Sequence, residues 1–166
     1  REKAYIITKT GVSWHSNKRV NMTNGADETR KMFEDSLRRL DTDYIDAVLI
    51  HWPDPKVDIR VPFEVLAKAK QNGQIRYLGL SNTNLEEIKK AEEIDSVDVL
   101  QNECNIFNLE EVIPLIRNTK SFITSWGTFD KGIATGRVTL DRKFSAEDCR
   151  SWAPWWKKSN KKEKIL

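Results

Sequence analysis

The polar and apolar positions of this chain are arranged around one run, Ala47-Val48-Leu49-Ile50, which is apolar without a break. It stops on His51 and then on Trp52-Pro53-Asp54-Pro55. A run too short for a helix and closed by a proline turn predicts a strand buried on both faces. Before it, Ala4 to Thr8 is β-branched and predicts a strand that delivers Lys9 at its end. Gly11 to Ala26, rich in Asn, Ser and Gly, predicts a long loop of the kind that is functional or mobile in compact domains. Asp27 is the predicted N-cap of a helix through Leu40, with Phe33, Leu37 and Leu40 on one face.

After the central strand the two periods continue to alternate. Asp58 to Asn72 predicts a helix with Phe63, Leu66 and Ala69 inward and Gly73 as its stop. Ile75 to Leu80 predicts a strand ending at Ser81-Asn82. Asn84 with Glu87 three residues on has the form of a capping box, opening a helix whose Leu85, Ile88 and Ala91 share a face. Val97 to Leu100 predicts a short strand ending at Gln101, and Leu109 to Asn118 a helix bent or shortened by Pro114. Phe122 to Ser125 predicts a fifth strand, ending at Trp126 and followed by a glycine-punctuated loop from Gly127 to Gly136. Ser145 to Asp148 starts a helical segment over 145–166, with Pro154 suited to the first turn of a further helix. Strands alternating with helices specify α/β structure with a parallel sheet and right-handed crossovers. An open doubly wound sheet satisfies the same pattern, but no Gly-x-Gly-x-x-Gly turn follows a strand, so the common dinucleotide fold has no direct support.

In order, the five strands end in Lys9, His51, Ser81-Asn82, Gln101 and Trp126. In a parallel barrel such ends gather around one mouth. Each has a plain reading by itself: a surface lysine, a structural histidine, a turn pair, a glutamine bonding loop backbone, a core tryptophan. Five polar or flat groups at five strand ends are less simply structural. Lys9 and His51 supply positive charge and hydrogen bonds where a carbonyl oxygen becomes negative. Ser81, Asn82 and Gln101 offer the mixed donors and acceptors that a planar amide requires. Trp126 offers a flat stacking face. Amide recognition beside a stacking platform suits a nicotinamide ring.

Composition narrows the class without changing this reading. The 166 residues are 39% hydrophobic and 32% charged, enough for one domain with a sizeable core. No apolar run approaches the ~18 residues of a membrane span, so a membrane partner is not expected. A net charge of +3 is too small to indicate nucleic acid. Cys104 and Cys149 form neither a metal spacing nor a disulfide framework, which suits a reducing, cytoplasmic compartment and predicts no metal site. Lys157, Lys158, Lys161, Lys162 and Lys164 read as a solvated helix face or a fraying end.

These residues also carry a family resemblance. Asp35-Ser36-Leu37-Arg38-Arg39-Leu40-Asp41-Thr42-Asp43-Tyr44-Ile45-Asp46, continuing to His51-Trp52-Pro53-Asp54-Pro55, closely resembles the central signature of the aldo-keto reductases. Gly73 to Asn82 (Gly-Gln-Ile-Arg-Tyr-Leu-Gly-Leu-Ser-Asn) is similar to the family's second recurrent stretch. Gly132-Ile133-Ala134-Thr135-Gly136 resembles its later Gly-x-x-Thr-Gly loop. With Thr8-Lys9 the matches run in the family's order from Thr8 to about Gly136. The resemblance implies a (β/α)8 TIM barrel that binds NADPH in extended form and passes hydride to an aldehyde or ketone while a tyrosine donates the proton. Lys9 then matches the lysine that lowers that tyrosine's pKa, and His51 the histidine that orients and polarises the carbonyl. Ser81, Asn82 and Gln101 match the residues holding the carboxamide, and Trp126 stands where the family usually stacks a tyrosine. The loop Gly127 to Gly132, including Phe129, matches the one that meets the pyrophosphate, and Trp52 lines the substrate pocket.

The same comparison sets expectations about extent. The chain opens at Arg1 within a few residues of a strand and closes at Leu166 in a helical pattern, so both ends are expected to be cuts in something larger, or products of processing. Residues 1–166 are read as a single partial barrel domain covering roughly the third to seventh strands. The family's aspartate and tyrosine lie on segments before its third strand. Tyr5, four residues along a strand from Lys9, lies about 13 Å from it. The chain as given is therefore expected to be inactive. Five strands do not close an eight-stranded barrel of typically ~250 residues, and exposed edges favour a homo-oligomer. The alternative reading is a noncatalytic half-barrel that binds nucleotide or self-associates; the third is a structured remnant.

Overall fold

Strand β4 (Ile45–Ile50) is buried at every residue and lies second in a five-stranded sheet of order β1-β4-β5-β6-β7. The other members are β1 (Ile7–Thr10), β5 (Ile75–Ser81), β6 (Val99–Glu103) and β7 (Phe122–Trp126). Pairing is parallel from β1 through β6, with Lys9 opposite Leu49, Leu49 opposite Gly79, and Ser81 opposite Gln101. This computed structural model describes residues 3–16, 20–157 and 165. They fall into two compact units: Arg1–Asn102 with Glu110–Thr124, and Glu103–Leu109 with Ser125–Leu166.

In the first unit the sheet is covered by α1 (Ala26–Leu40), α2 (Arg60–Gln71), α3 (Leu85–Glu92) and α4 (Leu109–Asn118). Alternation along the strands separates two faces. Val48, Ile50, Leu78, Leu80 and Leu100 pack with Phe33, Phe63, Leu66 and Ile88 of the helices. Ala47, Leu49 and Val99 form a separate small cluster on the other face. Two predicted helix signals hold: Asn84 accepts from the amides of Glu86 and Glu87 in a complete capping box, and Gly73 takes φ +77° just past α2. Pro114 lies inside α4, which runs the full predicted length.

Several local expectations change: the strand expected over Val97–Leu100 runs Val99–Glu103, so Gln101 lies inside it, and the helical segment expected from Ser145 begins only at Cys149. The first strand starts at Ile7, because the Ile6 amide donates to the Asp46 carboxylate (2.8 Å) and Tyr5 is 80% exposed. The ladder then runs past Thr8, since the His51 amide donates to the Thr10 carbonyl (2.9 Å), so Lys9 lies within β1. The stretch predicted as a loop after Gly11 contains an antiparallel ribbon, β2 (Val12–Trp14) with β3 (Val20–Met22). Its Ser13 and Asn21 both bond Thr23, so the polar residues that suggested a loop stabilise a sheet instead. Helix α1 is preceded by Gly25 as N-cap, and Asp27 lies in its first turn.

The second unit holds a 3₁₀ turn over Asp130–Thr135 in which Asp130, Lys131 and Gly132 all have positive φ. Two short helices follow, α5 (Cys149–Trp152), capped by Asp148, and α6 (Pro154–Lys157), which Pro154 opens as expected. Ile133, Val138 and Trp156 form its core, with Phe144 edge-on to Trp156 at 5.6 Å. Lys158, Lys161, Lys162 and Lys164 lie outside the described residues. Among the described residues, no helix is long and apolar enough to cross a membrane, and both cysteines are free thiols.

Candidate active site

Parallel register decides which strand ends can act together. Lys9 is level with Leu49, two residues before His51, so Lys9 and His51 lie on one face of the sheet. Leu49 is level with Gly79, two before Ser81, and Ser81 is level with Gln101. Lys9, His51, Ser81 and Gln101 therefore share the face away from the helices, at the carboxyl ends of four adjacent strands. Sequence reading brought these four together, and the register of the first unit does the same.

Asn82 follows β5 with opposite parity and a left-handed backbone (φ +55°), a conformation uncommon outside glycine. Its Nδ2 donates to the His51 carbonyl (2.9 Å) and to Ser81 Oγ (3.1 Å), linking the ends of β4 and β5. Ser81 is buried, at 1% exposure. Gln101 is half-buried and donates through Nε2 to Thr124 Oγ1 (3.1 Å). Thr124 had no signal of its own in the sequence beyond its place two residues before Trp126. Trp52 is 38% exposed, and its carbonyl accepts from Asn24 Nδ2 (3.2 Å). Asn24, at 1% exposure, lay hidden in a segment whose composition marks it only as loop.

Burial lowers the pKa of His51 below its ordinary 6.5, and the positive charge of Lys9 lowers it further. Both effects disfavour the imidazolium, so at neutral pH His51 is a neutral ring with one N–H to donate. The sign for stability follows: a depressed histidine stabilises the fold fully above pH 6.5, and that contribution is lost as pH falls toward the folded value. We expect His51, followed by NMR, to titrate below 6.5, and Lys9→Met to move its midpoint upward without restoring it fully. An unchanged midpoint in Lys9→Met would remove the charge contribution.

The remaining predicted residues belong to the second unit. The Trp126 carbonyl accepts from the Cys104 amide (3.1 Å). Gly127 (φ +66°) and Gly132 (φ +101°) adopt conformations that favour glycine, and Phe129 is 63% exposed. Lys131 of the same loop bonds Glu103 (2.8 Å) and Asp130 (3.0 Å). Burial alone would lower its pKa, but these two carboxylates outweigh it and hold the ammonium charged. No pattern in the sequence marks this loop cation as paired. A cavity of about 780 Å³ in the first unit lies elsewhere, at the amino ends of β5 to β7 between Tyr77, Val99 and Phe122. Lys9, His51, Ser81 and Gln101 do not line it.

The model of the aldo/keto reductase family matches residues 1–165. The chain is 32% identical over 166 residues to aldo-keto reductase YhdN of Bacillus subtilis, covering 98% of this chain and 50% of that protein. It is 25% identical over 175 residues to the NADH-specific methylglyoxal reductase of Escherichia coli, covering 96% and 53%. Among solved structures, glycerol dehydrogenase AKR11B4 from Gluconobacter oxydans superposes with a TM-score of 0.84 at 32% identity, over 98% of this chain and 52% of that one. Aldo-keto reductase AKR11C1 from Bacillus halodurans superposes with a TM-score of 0.73 at 25% identity, over 89% and 50%. These neighbours are TIM barrels, and five parallel strands with flanking helices are consistent with part of one. The chain spans about half the length of the curated relatives it matches. It belongs to the aldo/keto reductase family.

Proposed function

We propose that this chain carries the lysine–histidine side of a carbonyl-reducing site, together with the groups that hold a nicotinamide carboxamide. The supporting observation is that Lys9, His51, Ser81 and Gln101 share one sheet face at the carboxyl ends of four adjacent strands. The donor set fits the cofactor's amide. Ser81 Oγ accepts from Asn82, which leaves its own proton for a carbonyl oxygen. Gln101 uses one Nε2 proton on Thr124, which leaves Oε1 to accept from an amide NH₂.

NADPH, when bound, would supply a hydride. The other steps belong to the chain's own side chains. Neutral His51 donates its N–H to the carbonyl oxygen of an aldehyde or ketone, stabilising the negative charge that grows there. The ammonium of Lys9 favours ionisation of a neighbouring phenol by its charge. Within the first unit Trp52 would form a wall for the substrate; within the second, taken by itself, Trp126 would offer a stacking face for a nicotinamide ring, and Gly127, Phe129 and Gly132 would border a pyrophosphate. The three tyrosines of this chain are not that phenol. Tyr5 precedes β1, Tyr44 precedes β4 with Arg76 stacked 4.5 Å from its ring, and Tyr77 is near the start of β5. All lie toward the amino ends of the strands, opposite His51. Residues 1–166 are proposed as part of one barrel domain in a cytoplasmic enzyme.

The test is a fluorescence titration of the 166-residue chain, following tryptophan quenching. NADPH is expected to quench saturably, and the double variant Ser81→Val, Gln101→Leu to weaken binding at least about tenfold, as expected for two lost neutral hydrogen bonds of about 1 kcal/mol each. Equal binding by the variant, or none by the parent, would overturn the carboxamide assignment. A parallel titration with NADH measures cofactor preference, since one relative is NADH-specific. The same chain assayed alone with NADPH and aldehydes is expected to show no turnover. A second reading, self-association, is favoured by Ile7 (49% exposed), Tyr77 (48%) and Phe122 (70%) on the face away from the helices. Sedimentation velocity distinguishes it, a monomer over the micromolar range being the result against it.

A further inference from the structure

We propose that Thr10, Asn24 and Thr29 enclose one internal water molecule beneath the first turn of α1, and that this water fixes the Asn24 amide that ties the end of β1 to the end of β4. Thr10 Oγ1, Asn24 Oδ1 and Thr29 Oγ1 are buried polar atoms with no hydrogen-bond partner among the described residues. Their residues are 2%, 1% and 0% exposed. Buried polar atoms are rarely left in that condition, because each costs its full desolvation penalty.

The elements that carry the three residues adjoin, since α1 packs on β1 and Asn24 directly precedes the N-cap of α1. Gly25 is the N-cap of α1, so Asn24 is at N′ and Thr29 at N4, the two positions whose side chains meet over the first turn in a hydrophobic staple. Here both are polar. Thr10 ends β1 and is followed by Gly11, whose carbonyl accepts from Asn24 Nδ2 (3.1 Å). The same Nδ2 donates to the Trp52 carbonyl (3.2 Å). Gly11 has φ +90°, and a Cβ there would come within 2.9 Å of Asn24 Nδ2, so the backbone is held closely against this amide.

Those two bonds settle which way the amide faces. Flipped, Asn24 would set Oδ1 against two carbonyl oxygens, and its NH₂ would lose both acceptors. Oδ1 is thereby the amide atom that does not meet the Gly11 and Trp52 carbonyl oxygens, and it requires a donor. A water can donate to Oδ1 and accept from both hydroxyls, making about the three bonds usual for a buried water. An anion is opposed by Oδ1. A divalent cation would find three neutral oxygens where six to eight are needed, at the positive end of a helix. Gly11 and Trp52 lie close after Lys9 and directly after His51, so the clamp joins the two strand ends that carry them. It stands on these contacts alone and is tested apart from carbonyl reduction.

A high-resolution crystal structure of the 166-residue chain is expected to show a solvent peak about 2.7–3.2 Å from all three oxygens. Direct bonds between the threonines and Asn24, with no peak, would overturn the proposal. Thr29→Val, which keeps shape and removes the hydroxyl, is expected to lower the urea midpoint and to speed exchange of the Asn24 side-chain amide protons, measured by NMR. A midpoint unchanged or raised would mean an unbonded hydroxyl had been removed, and would also overturn it. If Thr29→Val does not fold, water–amide cross-relaxation at Asn24 in the parent decides: a long-lived contact supports the site, and its absence counts against it.

Discussion

Gly79→Ala is expected to cost about 3 kcal/mol of folding free energy, at the upper end of what overpacking a core costs. Gly79 lies in the middle of β5, between Leu49 of β4 and Val99 of β6. A Cβ there would stand 2.5 Å from the Val99 carbonyl oxygen and 2.8 Å from Leu49 Cγ. The Val99 oxygen belongs to the backbone of the neighbouring strand, so it cannot move aside as the end of a side chain would. Gly73→Ala is the informative control. Its φ of +77° is strained for alanine, but nothing lies within 4 Å of the new methyl. Its cost is expected to be nearer 1 kcal/mol. Urea unfolding of both variants separates steric exclusion from backbone preference, and equal losses would refute the assignment of Gly79 to close packing.

Phe63→Ala is expected to cost about 3–5 kcal/mol, comparable to a large part of a small domain's stability. Phe63 is fully buried on α2, where the helix meets β4 and β5. Its neighbours Val48, Ile50, Leu78 and Leu80 are held by the sheet and cannot close the space left behind. The loss should appear as a lower urea midpoint. Because β4 and β5 carry His51 and Ser81, it should also sharply reduce the protection of the amides at their carboxyl ends. A midpoint within error of the parent would show that the sheet can collapse onto the gap.

Helix and strand order was legible because one face of each element is apolar with its own period. The unbroken run at Ala47–Ile50 is readable because β4 is covered on both sides, and Phe63, Leu66 and Ala69 because they face that strand. The ribbon Val12–Trp14 with Val20–Met22 alternates too, but Trp14, Val20 and Met22 are exposed (Trp14 is 70% accessible), so composition speaks for a loop. Short strands of three residues stabilised by Ser13, Asn21 and Thr23 leave little period to count. The start of the first strand is harder to read because the Ile6 carbonyl still accepts from the Ala47 amide, while the Ile6 amide turns to the Asp46 carboxylate and ends the ladder there.

The residues proposed to act on a carbonyl and a nicotinamide were legible as strand ends, since a buried parallel strand must stop on polar sequence where it meets solvent. Their relation to one another was not. The sequence by itself determined that Lys9, His51, Ser81 and Gln101 each lie near the carboxyl end of a strand, although β1 runs on to Thr10 and β6 to Glu103. Only tertiary pairing decided that Lys9 is level with Leu49 and Ser81 with Gln101, because a slip of one residue would turn each side chain to the helix-covered face. The Asn82 bond to the His51 carbonyl and the Asn24 bonds to Gly11 and Trp52 are likewise products of the fold. They join residues 31, 13 and 28 positions apart, and no local pattern encodes a hydrogen bond across that distance, because its partners meet only after the sheet has formed.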